Sequence, residues 1–138
     1  LTACTHKKED DLKLNIHIPQ VNLNLDPHKM EDAFSMMVSL QLFRGLLRYD
    51  QNGDVLADLA ESWKESADRL NYTFKLKPAR FSNGKTITAK NVQMTFGRLF
   101  YLGAAMGADI DYIAGVEEFK KSWDISKLGI KVVNEKEI

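Results

Sequence analysis

The chain has 138 residues, 44% of them apolar, which is enough for one modest core. Its 19 basic residues are matched by 19 acidic ones, which removes any overall electrostatic argument for nucleic acid or an anionic surface as partner. The single cysteine excludes an intramolecular disulfide, and no stretch is long and apolar enough to span a bilayer as a helix.

Leu1-Thr2-Ala3-Cys4 reads as a bacterial lipobox, with Cys4 as the lipid attachment point and Thr5 to Asp11 as a hydrated tether. The other reading is an incidental or buried cysteine. A mature lipoprotein of this kind is expected to begin at Cys4, and no basic or apolar targeting segment stands ahead of Leu1 in the sequence. A single acyl chain holds a membrane only marginally, so stable anchoring requires more than one.

Leu12, Leu14, Ile16 and Ile18 alternate with polar residues and predict a half-buried strand ended by Pro19. After a connector from Asn22, Asp26-Pro27 resembles a helix start, with the helix setting in somewhat later. Phe34, Met37, Val38 and Leu42 form its expected apolar stripe, and Gly45 its stop. Leu46 to Tyr49 predicts a short strand, and Asp50-Gln51-Asn52-Gly53 a turn. Asp58 to Trp63 reads as a helical turn.

Leu70, Tyr72, Phe74 and Leu76 alternate with polar residues in the clearest strand pattern of the chain. Pro78 and Ser82-Asn83-Gly84 punctuate its end. Thr88 then caps an amphipathic helix whose buried stripe is Val92, Phe96, Leu99 and Phe100. Gly103 to Gly107 is expected to be irregular, Val116 to Lys121 a short helix, and Leu128 to Val133 a strand. Asn134 to Ile138 reads as a hairpin turn whose return strand lies beyond the chain.

Catalytic chemistry finds little support. His6, His17 and His28 share no metal-ligand spacing with one another or with Cys4 and read as solvated or capping residues. The glycines are scattered at turns and form no phosphate loop, and no serine or thiol has a nucleophile's setting. Glu31 and Asp32 are adjacent, and adjacent carboxylates on a helix do not face each other. The expectation is therefore a binding protein without cofactor or metal, not an enzyme. Trp63, Tyr72, Phe74, Phe81 and Phe96 fit core positions, whereas Tyr101 and Tyr112 lack a core slot and suit a surface or cleft role.

Leu25-Asp26-Pro27-His28-Lys29 followed by Leu42-Phe43-Arg44-Gly45-Leu46-Leu47 resembles the opening of extracellular solute-binding proteins of the oligopeptide and dipeptide type, solute-binding protein family 5. Leu59 to Trp63, Tyr72 to Leu76, Phe81 to Gly84, Thr88 to Val92, Ile113 to Val116 and Leu128 to Val132 continue the likeness in order, so that it covers residues 12–138.

The resemblance implies a mixed α/β chain: part of a two-lobe type II periplasmic-binding-protein fold, with a short mixed sheet and amphipathic helices. It implies a tether over 1–11, the first segment of lobe I over 12–43, and most of an inserted second domain over 44–138. It further implies capture of extended oligopeptides between two lobes, for delivery to the membrane permease of an ABC importer. The setting is the periplasm or the outer face of the cytoplasmic membrane, as a lipid-anchored monomer. Main-chain hydrogen bonding of the ligand as an added strand accounts for tolerance of varied side chains.

Carried over by position, Glu31, Asp32 and Ala33 fall in the peptide-contact segment, and Tyr101 is the candidate for a cleft tyrosine. Glu31 is equally readable as a solvated carboxylate at a helix start, and Asp32 replaces a residue that is small in the family. Two rival functions remain. One keeps the fold with another solute: a dipeptide, nickel chelate, haem, sugar or murein peptide. The other is a stand-alone surface lipoprotein module acting in adhesion or assembly.

Overall fold

A computed structural model describes Asn15, His17 and residues 22–138. Cys4, and the strand predicted over Leu12 to Ile18 apart from those two positions, lie outside the described residues. The mixed α/β expectation holds, and among the described residues the strands form two separate antiparallel pairs.

The first helix, α1 (Ala33–Leu42), starts later than Pro27. Its cap is Asp32, extended in backbone, whose carboxylate accepts from Ser35 N at 2.8 Å. Asp26 and Pro27 instead open a tight turn closed by Lys29 N donating to Asp26 O at 2.9 Å. The expected apolar stripe is also corrected. Ser35 and Ser39 are the buried residues of α1, Phe34 and Val38 are half-buried, and Met37 and Leu42 are exposed. Ser35 is small enough to sit against the preceding segment, where its hydroxyl accepts from Asn24 N at 2.9 Å. A large side chain there would separate the two. The outward face carries Met36, Met37, Leu40 and Leu42, with Leu40 73% exposed.

Strands β1 (Leu47–Tyr49) and β2 (Val55–Ala57) pair with Leu47 opposite Ala57 and Tyr49 opposite Val55. The turn between them is held by Asp50, whose Oδ1 accepts from Asn52 N at 2.8 Å and Asp54 N at 2.9 Å. Arg44 anchors the hairpin's base through Asp58, with Nε to Oδ1 at 2.9 Å.

The segment read as a helical turn around Trp63 is a strand. β3 (Ala60–Glu65) pairs antiparallel with β4 (Tyr72–Leu76). The ladder steps from Ala60↔Leu76 to Ser62↔Lys75, leaving Glu61 as an extra residue. Past Ala60 every residue of β3 is exposed, so no alternating buried face marks the strand in the sequence. On the other edge of β4, Phe74 and Ile138 exchange hydrogen bonds, Phe74 N to Ile138 O at 2.8 Å and Ile138 N to Phe74 O at 3.1 Å. Leu128 to Val133, predicted as a strand, forms none. The sheet contact belongs to the last three residues, because the turn at Asn134–Glu137 brings Lys136 to Ile138 alongside β4.

The helix α2 (Ala89–Tyr101) organises the core. Asn91 Oδ1 accepts from both Thr88 N at 2.8 Å and Thr88 Oγ1 at 2.9 Å, bearing out Thr88 as its cap. Ala89 and Val92 at its start pack with Leu76, Phe74 and Ile138. One turn and more beyond, Phe96 and Phe100 pack with Val116, Phe119 and Leu128. Ile130 touches both clusters, and its carbonyl accepts from Gln93 Nε2 at 2.7 Å. The stretch expected to be irregular contains a single-turn helix, α3 (Ala105–Ala108), and the predicted short helix is α4 (Val116–Ser122). A 3-10 turn (Ile125–Lys127) follows.

Two main-chain segments cross in contact beside α4. Gly129 N donates to Ala114 O at 2.6 Å, and a Cβ on Gly129 would lie 2.5 Å from that oxygen. Gly115, at φ +77°, caps α4, and a Cβ there would run into the carbonyl oxygen of Lys127. Both sides of the crossing therefore require glycine.

Leu128, fully buried in the larger cluster, is expected to lose about 2–5 kcal/mol of stability on substitution by alanine. The exposed Val133→Ala is expected to change it by about 0.5 kcal/mol or less. Urea unfolding of the two variants checks the contrast.

Candidate functional site

The segment before α1 is shaped by its own polar side chains. Asn24 Oδ1 accepts from Asp26 N at 3.1 Å while Asn24 Nδ2 donates to Lys29 O at 3.0 Å. Asp26 Oδ1 accepts from His28 N at 3.1 Å. These are local Asx-type bonds of the kind that hold a chain in a non-helical turn. They leave Met30 buried and Glu31 exposed at the tip.

Arg98, on α2, fastens this turn to the rest of the fold. Its Nη1 donates to Asp26 Oδ1 at 2.8 Å and its Nη2 to Asp26 Oδ2 at 2.6 Å, a fork across 72 residues of sequence. The same Nη1 lies 2.8 Å from His28 Nδ1. A guanidinium has no acceptor, so His28 Nδ1 must carry the lone pair, which makes the ring neutral with its proton on Nε2.

The electrostatics follow from that geometry. The Arg98 guanidinium, then the His28 N–H, hold the Asp26 carboxyl well below the usual carboxylate range. Arg98 is in turn pushed up by Asp26. His28 is pushed down, first by burial and then by the Arg98 charge, against a smaller opposing pull from Asp26.

A depression of about 410 Å³ lies between this turn and the end of α2, lined by Asn24, Lys29, Glu31 and the run Leu102 to Ala105. Glu31, expected to contact a ligand, is on its wall. Ala33 is the exposed first residue of α1. The Asp32 carboxylate is occupied in capping α1, and its bonds to Ser35 lower its pKa. Tyr101 lines a different, more apolar groove of about 620 Å³, beside Met94, Trp123 and Ile125. Its ring meets Trp123 edge-on, with centroids 4.8 Å apart. His28 stands between the two, since it lines both.

Asn24, His28, Lys29 and the Leu102–Ala105 run were not singled out from the sequence as site residues. In sequence His28 reads as a solvated or capping residue, and no local pattern joins it to Arg98. Among the described residues no group of three or more His, Cys, Asp or Glu is placed to hold a metal. No helix among them is long and apolar enough to cross a membrane.

Residues 54–138 match the bacterial extracellular solute-binding proteins, family 5 Middle. The chain belongs to this family of solute-binding proteins. The dipeptide-binding protein of Lactococcus lactis subsp. cremoris is 32% identical, over 99% of this chain and 26% of its own length. The periplasmic oligopeptide-binding protein OppA of Escherichia coli is 32% identical, over 81% of this chain and 22% of its own. Among solved structures, an oligopeptide-binding protein (OppAIV) of Borrelia burgdorferi superposes with a TM-score of 0.75 at 31% identity, covering 83% of this chain and 24% of that one. Haemophilus influenzae OppA in complex with the peptide RPPGFSPFR gives 0.75 at 27% identity, covering 82% and 23%. The chain thus spans about a quarter of the length of the relatives it matches.

A carboxylate whose pKa is depressed on folding stabilises above its ordinary value near ~4 and loses that contribution as pH falls through the lowered one. The variant Asp26→Asn is therefore expected to show a flatter thermal midpoint between about pH 5 and pH 2 than the parent chain. Circular dichroism melts across that range check it.

Proposed function

We propose that this chain is part of the substrate-binding component of a peptide ABC importer, and that Glu31, Asp32 and Ala33 form one wall of its peptide site. One observation carries the reading. Glu31 stands on a polar depression whose facing wall is the Leu102–Ala105 run, within a fold shared with a peptide-bound OppA over 82% of the chain. An exposed carboxylate on a polar wall suits a ligand recognised by its amine. In this reading Tyr101 acts from the neighbouring groove, at the margin of the site.

The mechanism is capture without covalent chemistry. A ligand that touches two lobes at once biases the hinge between them toward closure, and the closed form is presented to the membrane permease. Residues 12–43 contribute to lobe I and 44–138 to the inserted domain, with 1–11 as tether. Cys4 carries the lipid that holds the protein at the outer face of the membrane. Because a solute-binding cleft needs both walls, these 138 residues supply only part of the peptide's contacts.

Two measurements test this. In the full-length protein, Glu31→Ala is expected to weaken tri- to pentapeptide binding by roughly 10- to 100-fold, the loss of one charge-assisted hydrogen bond. Unchanged affinity by titration calorimetry removes Glu31 from the site. The 138-residue chain alone is expected to show no micromolar peptide binding in the same experiment. Tight binding by the isolated chain contradicts the divided cleft.

A further inference from the structure

The two depressions meet at His28, and the bonding around that ring has a property the peptide reading does not use. Arg98 Nη1 has two hydrogens. One goes to Asp26 Oδ1 at 2.8 Å, and the other faces His28 Nδ1 at 2.8 Å. The contact exists only while Nδ1 is unprotonated. A proton on Nδ1 sets two donors, and two positive charges, against each other at hydrogen-bond distance.

We propose that His28 is a proton-operated positioning residue: neutral, it completes the Arg98 clasp that holds the Lys29–Asp32 turn against Leu102–Ala105; protonated, it opens the clasp and lowers peptide affinity. This rests on the reading of Glu31 to Ala33 as ligand contacts.

Among the described residues the groups facing the ring are few. From α2 there is the Arg98 guanidinium, and from its own turn the Asp26 carboxylate, while Lys29 and Glu31 share the depression it lines. Asp26 favours a protonated ring, but its two oxygens are already taken by Arg98. Burial and the Arg98 charge outweigh it, so the clasped form binds the proton less readily than the open one. By linkage, the clasp is complete above the ordinary histidine value of about 6.5 and weakens as pH falls below it. Glu31 lies three residues from His28 on a turn with no regular secondary structure, so release at the ring is transmitted over a short length of chain.

The test uses the full-length protein and a tripeptide to pentapeptide series, with affinity measured from about pH 8 to pH 5. The parent protein is expected to lose affinity as pH falls, because the open form takes up the proton more readily than the clasped form. In His28→Asn the amide Oδ1 stands where Nδ1 stands in the imidazole, so it still accepts from Arg98 and does not titrate. Its affinity, whatever its value at pH 8, is expected to stay level on acidification. A pH-independent parent, or a variant that declines as the parent does, overturns the proposal.

Amide hydrogen exchange over residues 29–33 without ligand, corrected for intrinsic rates, gives a second readout. His28-dependent opening at low pH with no peptide bound at any pH leaves the catch standing and removes the peptide reading. Peptide binding with neither affinity nor exchange responding to pH does the reverse.

Discussion

The placement of the candidate site depends on the fork between Arg98 and Asp26. The turn at 24–31 makes its own local bonds, but those bonds fix only its internal shape. What sets that shape beside the end of α2 is a single guanidinium reaching both carboxylate oxygens. Two parallel bonds define an orientation as well as a distance, which a point charge on a lysine would not do. Met30 adds a buried apolar contact, and Asn24 N ties the segment to Ser35. Depth, direction and protonation state of the site are thus joined at one residue.

Much of the scaffold was readable in the sequence because its signals are local. The alternation at Tyr72–Leu76, the Thr88 cap with the stripe ending at Phe100, and the turn at Asp50–Gly53 all arise from neighbours within a few residues. The strand at 60–65 was hidden because only Ala60 of it is buried, which leaves no alternation to read. The edge contact of Ile138 with Phe74 was hidden because it joins residues far apart in sequence. The same holds for the site. The family likeness pointed to Glu31, whereas the clasp through Arg98 and the opposing run at Leu102–Ala105 are products of the fold and leave no short-range mark.

α1 departs from the usual amphipathic logic. Its serines turn inward and its methionines and leucines outward, so its apolar surface is not used by the described part of the chain. A helix that is apolar on its free side gains little from local propensity and depends on what it packs against. That surface and the two grooves flanking His28 stay open among the described residues. The two clusters around α2, by contrast, account for their own burial.

The paired glycines at the crossing beside α4 have an evolutionary corollary. At most close contacts a bulkier residue on one side can be accommodated by a slimmer one opposite. At Gly115 and Gly129 the obstacles are the carbonyl oxygens of Lys127 and Ala114, which belong to the backbone and are the same whatever residues stand there. No second-site change trims them. Both positions are closed to drift independently, and a lineage that loses either glycine must reroute the chain to survive it.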